Sequence, residues 1–426
     1  MDKIVIEGGR PLEGEIAVSG AKNAALPLIF SALLSDEPLH LLGVPDVADI
    51  RTACRLLERL GARIERPDPS ELVIDCSAIE SYEAPYELVR TMRASFLVLG
   101  PLLARFGRAR VSQPGGCAIG TRPIDEHLLA MRRLGARIER EGGYVDARAD
   151  RLAGGHCILG LPSVGATENA MMAAVLARGV TRIENAAREP EIVDLAQCLN
   201  ARGARIDGAG HSVIEIEGVE RLSGGEHRVI PDRIEAGTYL IAGLITGGRV
   251  RARGARSEHL GALLEKLEEA GASLEVDGEA VTASATGRPR ATDVTTAPFP
   301  GFPTDLQAQF MALMAIADGT SVITETIFEN RFMHVPELMR MGADVRLSGR
   351  RAVVRGQDRL TGAPVMATDL RASVSLVLAG LAARSRTEVL RVYHLDRGYE
   401  RIEEKLSALG AQIARVPDET GAGAAR

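Results

Sequence analysis

Hydrophobic and polar positions recur along this chain in six similar copies of one pattern. In each copy an amphipathic stretch of helical period ends at a Gly-Ala pair, and an aliphatic residue follows two positions after the alanine. Successive pairs are 68 to 74 residues apart, and the six glycines are Gly61, Gly135, Gly203, Gly271, Gly342 and Gly410. Glycine adopts the left-handed conformation that commonly ends a helix, and Ile, Val or Leu suits a buried strand. Each copy therefore predicts a helix followed by a strand, repeated six times.

A second class of helix recurs between the amphipathic ones. Its members, among them residues 24–34, 95–103 and 372–381, are apolar nearly all round, which predicts burial on every side. After most Gly-Ala pairs two short strands are expected with a turn between them, as at 273–276 and 280–283. Each repeat is therefore predicted to run strand, helix, strand, helix, strand, strand.

The two ends of the chain predict how the repeats are grouped. The sixth repeat lacks its last strand, whereas residues 2–7 form a predicted strand that belongs to no repeat. We expect this N-terminal strand to complete the sixth repeat. The expected fold is α/β, with residues 21–229 as domain one and residues 1–20 and 230–426 as domain two, three repeats in each.

Composition and charge argue against nucleic-acid binding. The formal net charge is −6, aromatic residues make up 3% of the chain, and Trp is absent. A mildly acidic protein does not bind a polyanion through its whole surface, and few aromatic rings are present to stack on bases. If the ligand is an anion, the basic residues must be gathered locally.

Cysteine usage and hydropathy predict a cytoplasmic protein. The five cysteines are odd in number and form no C-x-x-C pair, which argues against a disulfide framework and a zinc site. Reduced thiols fit the cytoplasm. The sequence has no run of about 18 apolar residues, so no membrane span is predicted, and the N-terminus does not resemble a signal peptide.

Polar residues gather where the buried helices begin. Helix N-termini carry free N–H groups and a partial positive charge, so they bind anions. Asp305 and Asp369 also fit helix caps, and Arg93 and Arg371 also fit solvated surface charges. Lys22 opposes the helix dipole, and a bound anion would offset it. The full set is Lys22, Asn23, Arg93, Thr167, Glu168, Arg233, Glu235, Asp305, Asp369 and Arg371.

A glycine-rich loop, residues 112–125, carries a second candidate site. Cys117 stands near Arg122 in this loop, and a cysteine beside a cation is a candidate for a thiol of low pKa. The alternative for a cysteine is a small buried hydrophobe, which we expect for Cys54, Cys157 and Cys198. The loop lacks the Gly-Lys-Ser/Thr ending of a P-loop, and flexible glycine loops often act as lids.

Two arginines complete the cationic set. Arg331 and Arg397 occur at equivalent positions of their repeats, just before the amphipathic helix. Several arginines together with one lysine suit a ligand that carries both a phosphate and a carboxylate.

Five segments in this order along the chain resemble the UDP-N-acetylglucosamine 1-carboxyvinyltransferase family. They are Ser19–Pro27, Pro114–Asp125, Phe302–Gln309, Phe328–His334 and Asp396–Tyr399. The resemblance implies transfer of the enolpyruvyl group from phosphoenolpyruvate to the 3-hydroxyl of UDP-N-acetylglucosamine, with release of phosphate, as the first committed step of bacterial peptidoglycan synthesis. It also implies a two-domain inside-out α/β barrel, which agrees with the repeat count.

The resemblance assigns roles residue by residue. It implies that Lys22, Arg122 and Arg397 bind phosphoenolpyruvate, that Asp305 is the base for the sugar hydroxyl, and that Cys117 is the general acid. Cys117 is also the residue that the antibiotic fosfomycin alkylates in this family. The resemblance implies contacts to the UDP-sugar from Asn23, Arg93, Pro123, Ile124, Asp125, His127, Ser163, Val164, Gly165, Asp305 and Ile327. Glu126, Arg331, Asp369 and Arg371 complete the expected substrate-binding set.

We expect no metal, no organic cofactor, no membrane insertion and no obligate protein partner. This chain departs from the family pattern at two places. Leu97 stands where members often have Trp, and Leu161-Pro162 stands where some have Lys. We expect contacts to the uridine or its phosphates to differ there.

Two other functions remain open at this point. The first is 3-phosphoshikimate 1-carboxyvinyltransferase, which shares the six-repeat fold, although the loop of Cys117 and the segment 328–334 argue against it. The second is a non-enzymatic repeat scaffold such as a ring clamp, which the acidic charge and the cations at buried helix starts disfavour.

Overall fold

The computed structural model describes residues 2–114 and 124–418, and these residues form α-helices and short strands in the predicted alternation. The helices are Lys22–Ser31, Ala48–Leu60, Tyr86–Val89, Leu99–Phe106, Asp125–Arg133, Val164–Ala174, Pro190–Ala201, Arg233–Ile245, Gly261–Glu269, Gln307–Met314, Val335–Arg340, Ala372–Ala382 and Ile402–Ala408. Short 3₁₀ helices lie at Ala32–Leu34, Arg93–Val98, Ser257–His259, Thr304–Leu306 and Val392–Arg397. In this part of the chain no helix has both the length and the apolar character needed to cross a membrane.

These residues divide into two compact units. The first unit comprises residues 20–114 and 124–230, and the second comprises residues 2–19 and 231–418. Each unit contains three four-stranded sheets and a hydrophobic core of its own.

The three sheets of the first unit share one pattern, in which an edge strand pairs parallel with its neighbour and the other pairings are antiparallel. In spatial order their strands are Gly225–Arg228, Leu39–Leu42, Glu71–Asp75 and Arg63–Glu65; Glu83–Ala84, Arg108–Ser112, Tyr144–Arg148 and Arg137–Glu141; and His156–Ile158, Val180–Glu184, Val213–Glu217 and Arg205–Asp207.

The sheets of the second unit repeat this pattern. Their strands, again in spatial order, are Glu13–Ala17, Arg249–Arg253, Ala280–Ser284 and Ser273–Asp277; Val294–Thr295, Thr320–Thr324, Arg351–Arg355 and Asp344–Ser348; and Pro364–Met366, Arg386–Leu390, Asp2–Glu7 and Gln412–Pro417.

One helix of each repeat is buried over most of its surface, as the apolar runs predict, although the last turn of Leu99–Phe106 is only half-buried. In Lys22–Ser31, for example, Asn23 alone is not buried. We call these six the central helices: Lys22–Ser31, Leu99–Phe106, Val164–Ala174, Arg233–Ile245, Gln307–Met314 and Ala372–Ala382. The second and fifth are preceded directly by 3₁₀ turns at Arg93–Val98 and Thr304–Leu306, so their polar starts lie in tighter backbone than an α-helix.

The six repeat glycines end the amphipathic helices as predicted. All six have positive φ, between 92° and 112°. At Gly135, Gly203 and Gly410 an added Cβ would meet nothing within 4 Å, so conformation rather than crowding explains the glycine.

The N-terminal strand lies in the sheet of the sixth repeat, where the sequence predicts it. Asp2–Glu7 pairs antiparallel with Gln412–Pro417 on one side and with Arg386–Leu390 on the other. Ile4 and Ile6 are fully buried there, so the strand closes both the sheet and the core of the second unit.

Candidate active site

The second unit brings three predicted site residues together, two of them at the starts of its central helices. Asp305 lies in the turn Thr304–Leu306, and its Oδ1 accepts a hydrogen bond from Arg331 Nη2 at 2.7 Å. Its Oδ2 is 3.4 Å from Arg371 Nε. The Asp305 side chain remains 25% exposed, whereas those of Arg331 and Arg371 are 5% and 2% exposed. The carboxylate is thus held by two guanidinium groups and can still be reached by a ligand.

Arg371 is a buried cation, not the solvated surface charge that was one of its alternatives. Its Nη2 is 3.6 Å from Oδ2 of Asp232, and its guanidinium lies 5.3 Å from the ring centre of Tyr399. Burial opposes the charge, but Asp232, Tyr399 and Asp305 outweigh it, so the pKa of Arg371 is raised. Asp232 also caps the central helix Arg233–Ile245 by accepting from the N–H of Ile234.

A network of uncharged hydrogen-bonding side chains holds the backbone of Asp305. Gln309 Nε2 donates to the backbone oxygen of Asp305 at 2.8 Å and to Tyr399 Oη at 3.2 Å. Tyr399 Oη and Thr238 Oγ1 are 3.0 Å apart, and all three supporting side chains are buried. Tyr399, at the end of the segment Asp396–Tyr399, is therefore joined through Gln309 to the start of the fifth central helix.

Asp369 caps a helix, which was one of its two predicted roles. Its Oδ1 accepts from the N–H groups of Arg371 and Ala372 at 2.8 and 2.9 Å, at the start of Ala372–Ala382. Its second oxygen, Oδ2, is buried and has no hydrogen-bond partner among the described residues. The cap thus fixes Asp369 with one oxygen still able to accept a hydrogen bond.

His334 is fully buried at the start of the helix Val335–Arg340. Neither ring nitrogen has a hydrogen-bond partner in the described part of the chain. Burial lowers the pKa of His334, Asp369 opposes this, and the charge of Arg331 adds to the lowering, so that the pKa is about 4. The ring is therefore neutral at physiological pH.

Two other predicted residues of this unit, Ile327 and Arg397, lie a few residues before Arg331 and Tyr399, respectively. Ile327 is half-buried, and its N–H donates to Glu325 Oε1 at 2.8 Å. Arg397 ends the short helix Val392–Arg397 and is half-buried. Burial, and then the charge of Arg397, lowers the pKa of His394.

In the first unit Lys22 forms a buried ion pair. It is the first residue of its central helix, and its Nζ lies 3.1 Å from Oδ2 of Asp49. The two side chains are 8% and 5% exposed. The carboxylate of Asp49, on the amphipathic helix Ala48–Leu60, supplies the counter-charge that the sequence analysis assigned to a bound anion. Asn23 follows Lys22 and is half-buried.

His127 connects two predicted segments of this unit. Its Nδ1 is 3.1 Å from Asn169 Nδ2, and its ring packs edge-on against Phe96. A Cβ on Gly165 would come within 3.2 Å of the His127 ring, so a larger residue there would need the ring to shift by a few tenths of an ångström. Asn169 also donates to Phe96 O and accepts from Gly100 N, so it fixes the second central helix against the third.

The remaining predicted residues of the first unit lie at helix starts. Arg93 begins its 3₁₀ helix and is half-buried. Ser163 caps Val164–Ala174 by accepting from the N–H of Ala166, and Val164 is the first residue of that helix. Ile124, which is buried, precedes the helix Asp125–Arg133.

Two acidic residues at the start of Asp125–Arg133 already have partners. Asp125 pairs with Arg140 at 2.6 Å on the surface. Glu126 accepts from the N–H of Gly160 at 2.9 Å. Leu97, which replaces the Trp of the family pattern, is buried, whereas Leu161 is 65% exposed.

Glu168 is a buried acid that the sequence singled out and the resemblance did not use. Burial raises the pKa of Glu168 well above its ordinary value, and the charges of Glu191 and Glu189 raise it further. Its Oε1 has no hydrogen-bond partner among the described residues. Burial therefore favours the protonated form of this carboxyl.

Cys117, Arg122 and Pro123 lie outside the described residues. The other four cysteines are buried or half-buried, as expected for Cys54, Cys157 and Cys198. Burial raises the pKa of Cys76 to about 12 and those of Cys54, Cys157 and Cys198 to about 11. These four thiols are therefore not ionised at neutral pH.

Sequence reasoning missed the residues that hold the predicted ones in place. Asp49, Asp232 and Asn169 belong to no motif quoted above, yet they contact Lys22, Arg371 and His127. The signal for Asp232 was available, because Pro231-Asp232 precedes an apolar run as an N-cap does. Nothing local marks Asp49, since its partner is 27 residues away.

Comparisons with known proteins agree with this arrangement. The family model described as EPSP synthase (3-phosphoshikimate 1-carboxyvinyltransferase) matches residues 6–406. The UDP-N-acetylglucosamine 1-carboxyvinyltransferase of Halorhodospira halophila is 56% identical over 418 residues, which cover 98% of this chain and 100% of that protein. The protein of the same name from Nitratidesulfovibrio vulgaris is 60% identical over 416 residues, which cover 97% and 99%.

A solved structure shows the same fold. The enolpyruvyl transferase NikO from Streptomyces tendae superposes with a TM-score of 0.88 at 27% identity, covering 98% of this chain and 99% of that one. The fold is thus the EPSP synthase-like enolpyruvyl transferase fold, built from small mixed sheets. The chain therefore belongs to the EPSP synthase family, and its high-identity relatives within that family are UDP-N-acetylglucosamine 1-carboxyvinyltransferases.

Proposed function

We propose that this chain transfers the enolpyruvyl group of phosphoenolpyruvate to the 3-hydroxyl of UDP-N-acetylglucosamine and releases phosphate. The observation that carries the proposal is identity of 56 and 60% over at least 97% of the chain to proteins named for this reaction. Each of the two units takes the role of one domain of an inside-out α/β barrel. The product would enter peptidoglycan and cell-wall synthesis in the bacterial cytoplasm, and so serve cell shape and division.

Charge explains the cations in this proposal. Phosphoenolpyruvate carries about three negative charges near neutral pH, and the nucleotide sugar about two more. Lys22, Arg122 and Arg397 bind the carboxylate and phosphate of phosphoenolpyruvate. Lys22 is held by Asp49, which fixes the direction of its ammonium group.

The chemistry needs an acid and a base on the two reactants. Cys117 protonates the methylene carbon of phosphoenolpyruvate while the sugar 3-hydroxyl oxygen bonds to its second carbon. Asp305 takes the proton of that hydroxyl. Loss of phosphate, together with a proton from the new methyl group, then restores the double bond and gives the enolpyruvyl ether. No step requires electron transfer.

The geometry supports Asp305 as the base. Arg331 and Arg371 fix both of its oxygens in direction, and its partial exposure admits a hydroxyl. A base held in one orientation by charged partners loses little freedom when substrate binds. Arg331, Arg371 and Asp369 therefore act around Asp305, with the free oxygen of Asp369 as a further acceptor.

The UDP-sugar is bound, on this proposal, by residues at helix starts and in loops. They are Asn23, Arg93, Pro123, Ile124, Asp125, Glu126, His127, Ser163, Val164, Gly165, Asp305 and Ile327. Leu97 and Leu161-Pro162 alter one or two of the contacts to uridine or its phosphates.

An acceptor-exchange assay tests the proposal. The purified chain is incubated with phosphoenolpyruvate and either UDP-N-acetylglucosamine or shikimate 3-phosphate, and phosphate release and product mass are measured. We expect turnover with the nucleotide sugar only. Turnover with shikimate 3-phosphate alone would assign the chain to the other reaction of this fold. If no phosphate is released with either acceptor, a non-enzymatic scaffold would be supported.

A further inference from the structure

Glu325 is a buried carboxylate that has no place in the proposed chemistry. It directly follows the strand Thr320–Thr324, and the residue is only 1% exposed. Oε1 accepts from Thr296 Oγ1 at 2.8 Å and from the N–H groups of Ile327 at 2.8 Å and Phe328 at 3.3 Å. Oε2 accepts from Thr304 Oγ1 at 2.8 Å. All four donors are uncharged.

These donors belong to three separate segments. Thr296 follows the strand Val294–Thr295, and Thr304 begins the 3₁₀ turn that carries Asp305. Ile327 and Phe328 begin the segment that leads to Arg331. One carboxylate thus joins the backbone beside Asp305 to the backbone that carries its partner Arg331.

The arrangement is costly for a purely structural junction. A carboxylate loses its hydration when it is buried, and neutral donors compensate less than a cation would. A neutral side chain could close the same turn without burying a charge. Here four hydrogen bonds from three segments meet at one carboxylate. They give a rigid geometry, because a carboxylate accepts several hydrogen bonds at fixed angles.

We propose that Glu325 is a positioning residue for Asp305. The inference rests on the proposed function, in which Asp305 takes the proton of the sugar hydroxyl. Through the hydroxyl of Thr304, Glu325 fixes the backbone one residue before Asp305, and through the N–H of Ile327 it fixes a residue that contacts the same sugar. Its effect is on the alignment of base and hydroxyl, so it changes kcat more than the affinity for UDP-N-acetylglucosamine.

The hydroxyl of Thr304 allows a test that leaves Glu325 in place. Thr304→Val has nearly the same shape and removes one hydrogen bond, whereas Thr304→Ser keeps it. We expect Thr304→Val to lower kcat by roughly 10- to 100-fold with KM for UDP-N-acetylglucosamine within about threefold, because a small misplacement of a catalytic group has effects of this size. Thr304→Ser should retain kcat to within about threefold of the unsubstituted chain.

Two further variants separate positioning from stability. Thr320→Val, at an exposed position of the adjacent strand, is the matched control and should leave kcat and the melting temperature unchanged. Glu325→Gln keeps the size of the side chain and one acceptor oxygen, and should also lower kcat more than it raises KM. It supplies the same test if Thr304→Val does not fold.

The outcomes are distinct. If the unsubstituted chain does not turn over phosphoenolpyruvate and UDP-N-acetylglucosamine, the proposed function has failed. If that chain is active and both Thr304→Val and Glu325→Gln have kcat within about twofold of it, the positioning role is overturned. A fall in kcat that Thr304→Ser shares equally would also overturn it, because the hydroxyl would then be irrelevant.

Discussion

The two ends of the central helices use arginine in different ways. At the ends where the helices finish, arginines bind backbone oxygens. Arg105 Nη1 donates to Leu33 O, Ser35 O and Cys76 O at 3.1, 2.7 and 2.9 Å. In the second unit Arg288 donates to the oxygens of Ile316 and Ala317, just beyond Gln307–Met314, and it also pairs with Asp358 on the surface. The last carbonyls of a helix lack partners within it, and a cation there also favours the helix dipole.

At the helix starts, arginines and lysine bind carboxylates. Lys22 pairs with Asp49, and Arg371 lies between Asp232 and Asp305. A cation at a helix start opposes the dipole, so it needs a carboxylate or a bound anion nearby. Asp305 remains partly exposed in this set.

The difference distinguishes arginines that stabilise the fold from arginines that take part in the candidate active site. An arginine whose donors are taken by backbone oxygens stabilises the fold and has little left to offer a ligand. An arginine held by an accessible carboxylate orients that carboxylate for chemistry. The following experiments test whether the helix starts carry the reaction and the helix ends do not.

Asp305→Asn should have the largest effect. Asparagine keeps the size and one acceptor oxygen but cannot take a proton at neutral pH. We expect kcat to fall by about 10³-fold with KM for UDP-N-acetylglucosamine changed only a few-fold, since general-base catalysis contributes on this scale. Steady-state phosphate release measures both constants. A kcat within about tenfold of the unsubstituted chain would remove Asp305 from the chemistry.

Cysteine labelling tests the two regions at once. Cys76 and Cys198 lie near the helix-end arginines Arg105 and Arg202, and cations normally favour the thiolate. Burial nevertheless raises their pKa values to about 12 and about 11. Fewer than about one such thiol in a thousand is ionised at pH 8, so fosfomycin should alkylate Cys117 at least about 100-fold faster.

Mass spectrometry of digested protein identifies the labelled cysteine. Cys117→Ser should take up no label and provides the control. Label on Cys76 or Cys198 in the folded protein would show that burial at the helix ends does not suppress their reactivity.

Arg371→Met and Arg202→Met form a matched pair. Both side chains are 2% exposed, but Arg202 donates to Ser31 O and Ser223 O at a helix end. Each substitution leaves buried polar atoms without partners, so each should lower the free energy of unfolding by about 2 kcal/mol or more. Arg371→Met should also lower kcat/KM by roughly 100-fold, whereas Arg202→Met should leave kcat and both KM values unchanged.

Denaturation in urea and steady-state kinetics provide the two measurements. An equal loss of kcat/KM in both variants, measured on folded protein, would end the distinction between the two helix ends.

The pH dependence of stability gives the smallest expected effect. His334 is neutral in the folded chain down to about pH 4, whereas an unfolded histidine takes up its proton near 6.5. Between these values the unfolded state binds more protons, so the free energy of unfolding falls as pH is lowered, by up to about 1.4 kcal/mol per pH unit. This stability is present above pH 6.5 and is lost towards pH 4.

His334→Gln cannot take up that proton. We expect its free energy of unfolding to fall less between neutral pH and pH 4.5 than that of the unsubstituted chain, by on the order of 2 kcal/mol. Equal pH dependence of the two proteins in urea denaturation would show that His334 does not titrate on unfolding.

The fold was largely predictable because its signals are local and repeated. Each repeat glycine needs a positive φ, and each central helix is apolar nearly all round, so both features are read from a few adjacent residues. The place of the N-terminal strand followed from a missing strand in the sixth repeat. The 3₁₀ start at Arg93 was not predicted, since its short-range pattern equals that of an α-helix.

The site was predictable in its members and not in its contacts. The motifs contain Lys22, Asp305 and Arg331, but which carboxylate each cation meets depends on packing between distant segments. Lys22 therefore seemed to need a bound anion, although Asp49 compensates it. Glu325 escaped notice because its role depends on hydroxyl and N–H donors from three segments, which no short motif records.

A crystal structure with UDP-N-acetylglucosamine bound tests the central claim most directly. The claim is that the carboxylate at the start of the fifth central helix faces the reacting hydroxyl. We predict an oxygen of Asp305 within about 3.2 Å of the sugar 3-hydroxyl oxygen, with its contact to Arg331 retained. A nucleotide sugar bound with its 3-hydroxyl away from Asp305, or bound at the helix-end arginines, would contradict the account.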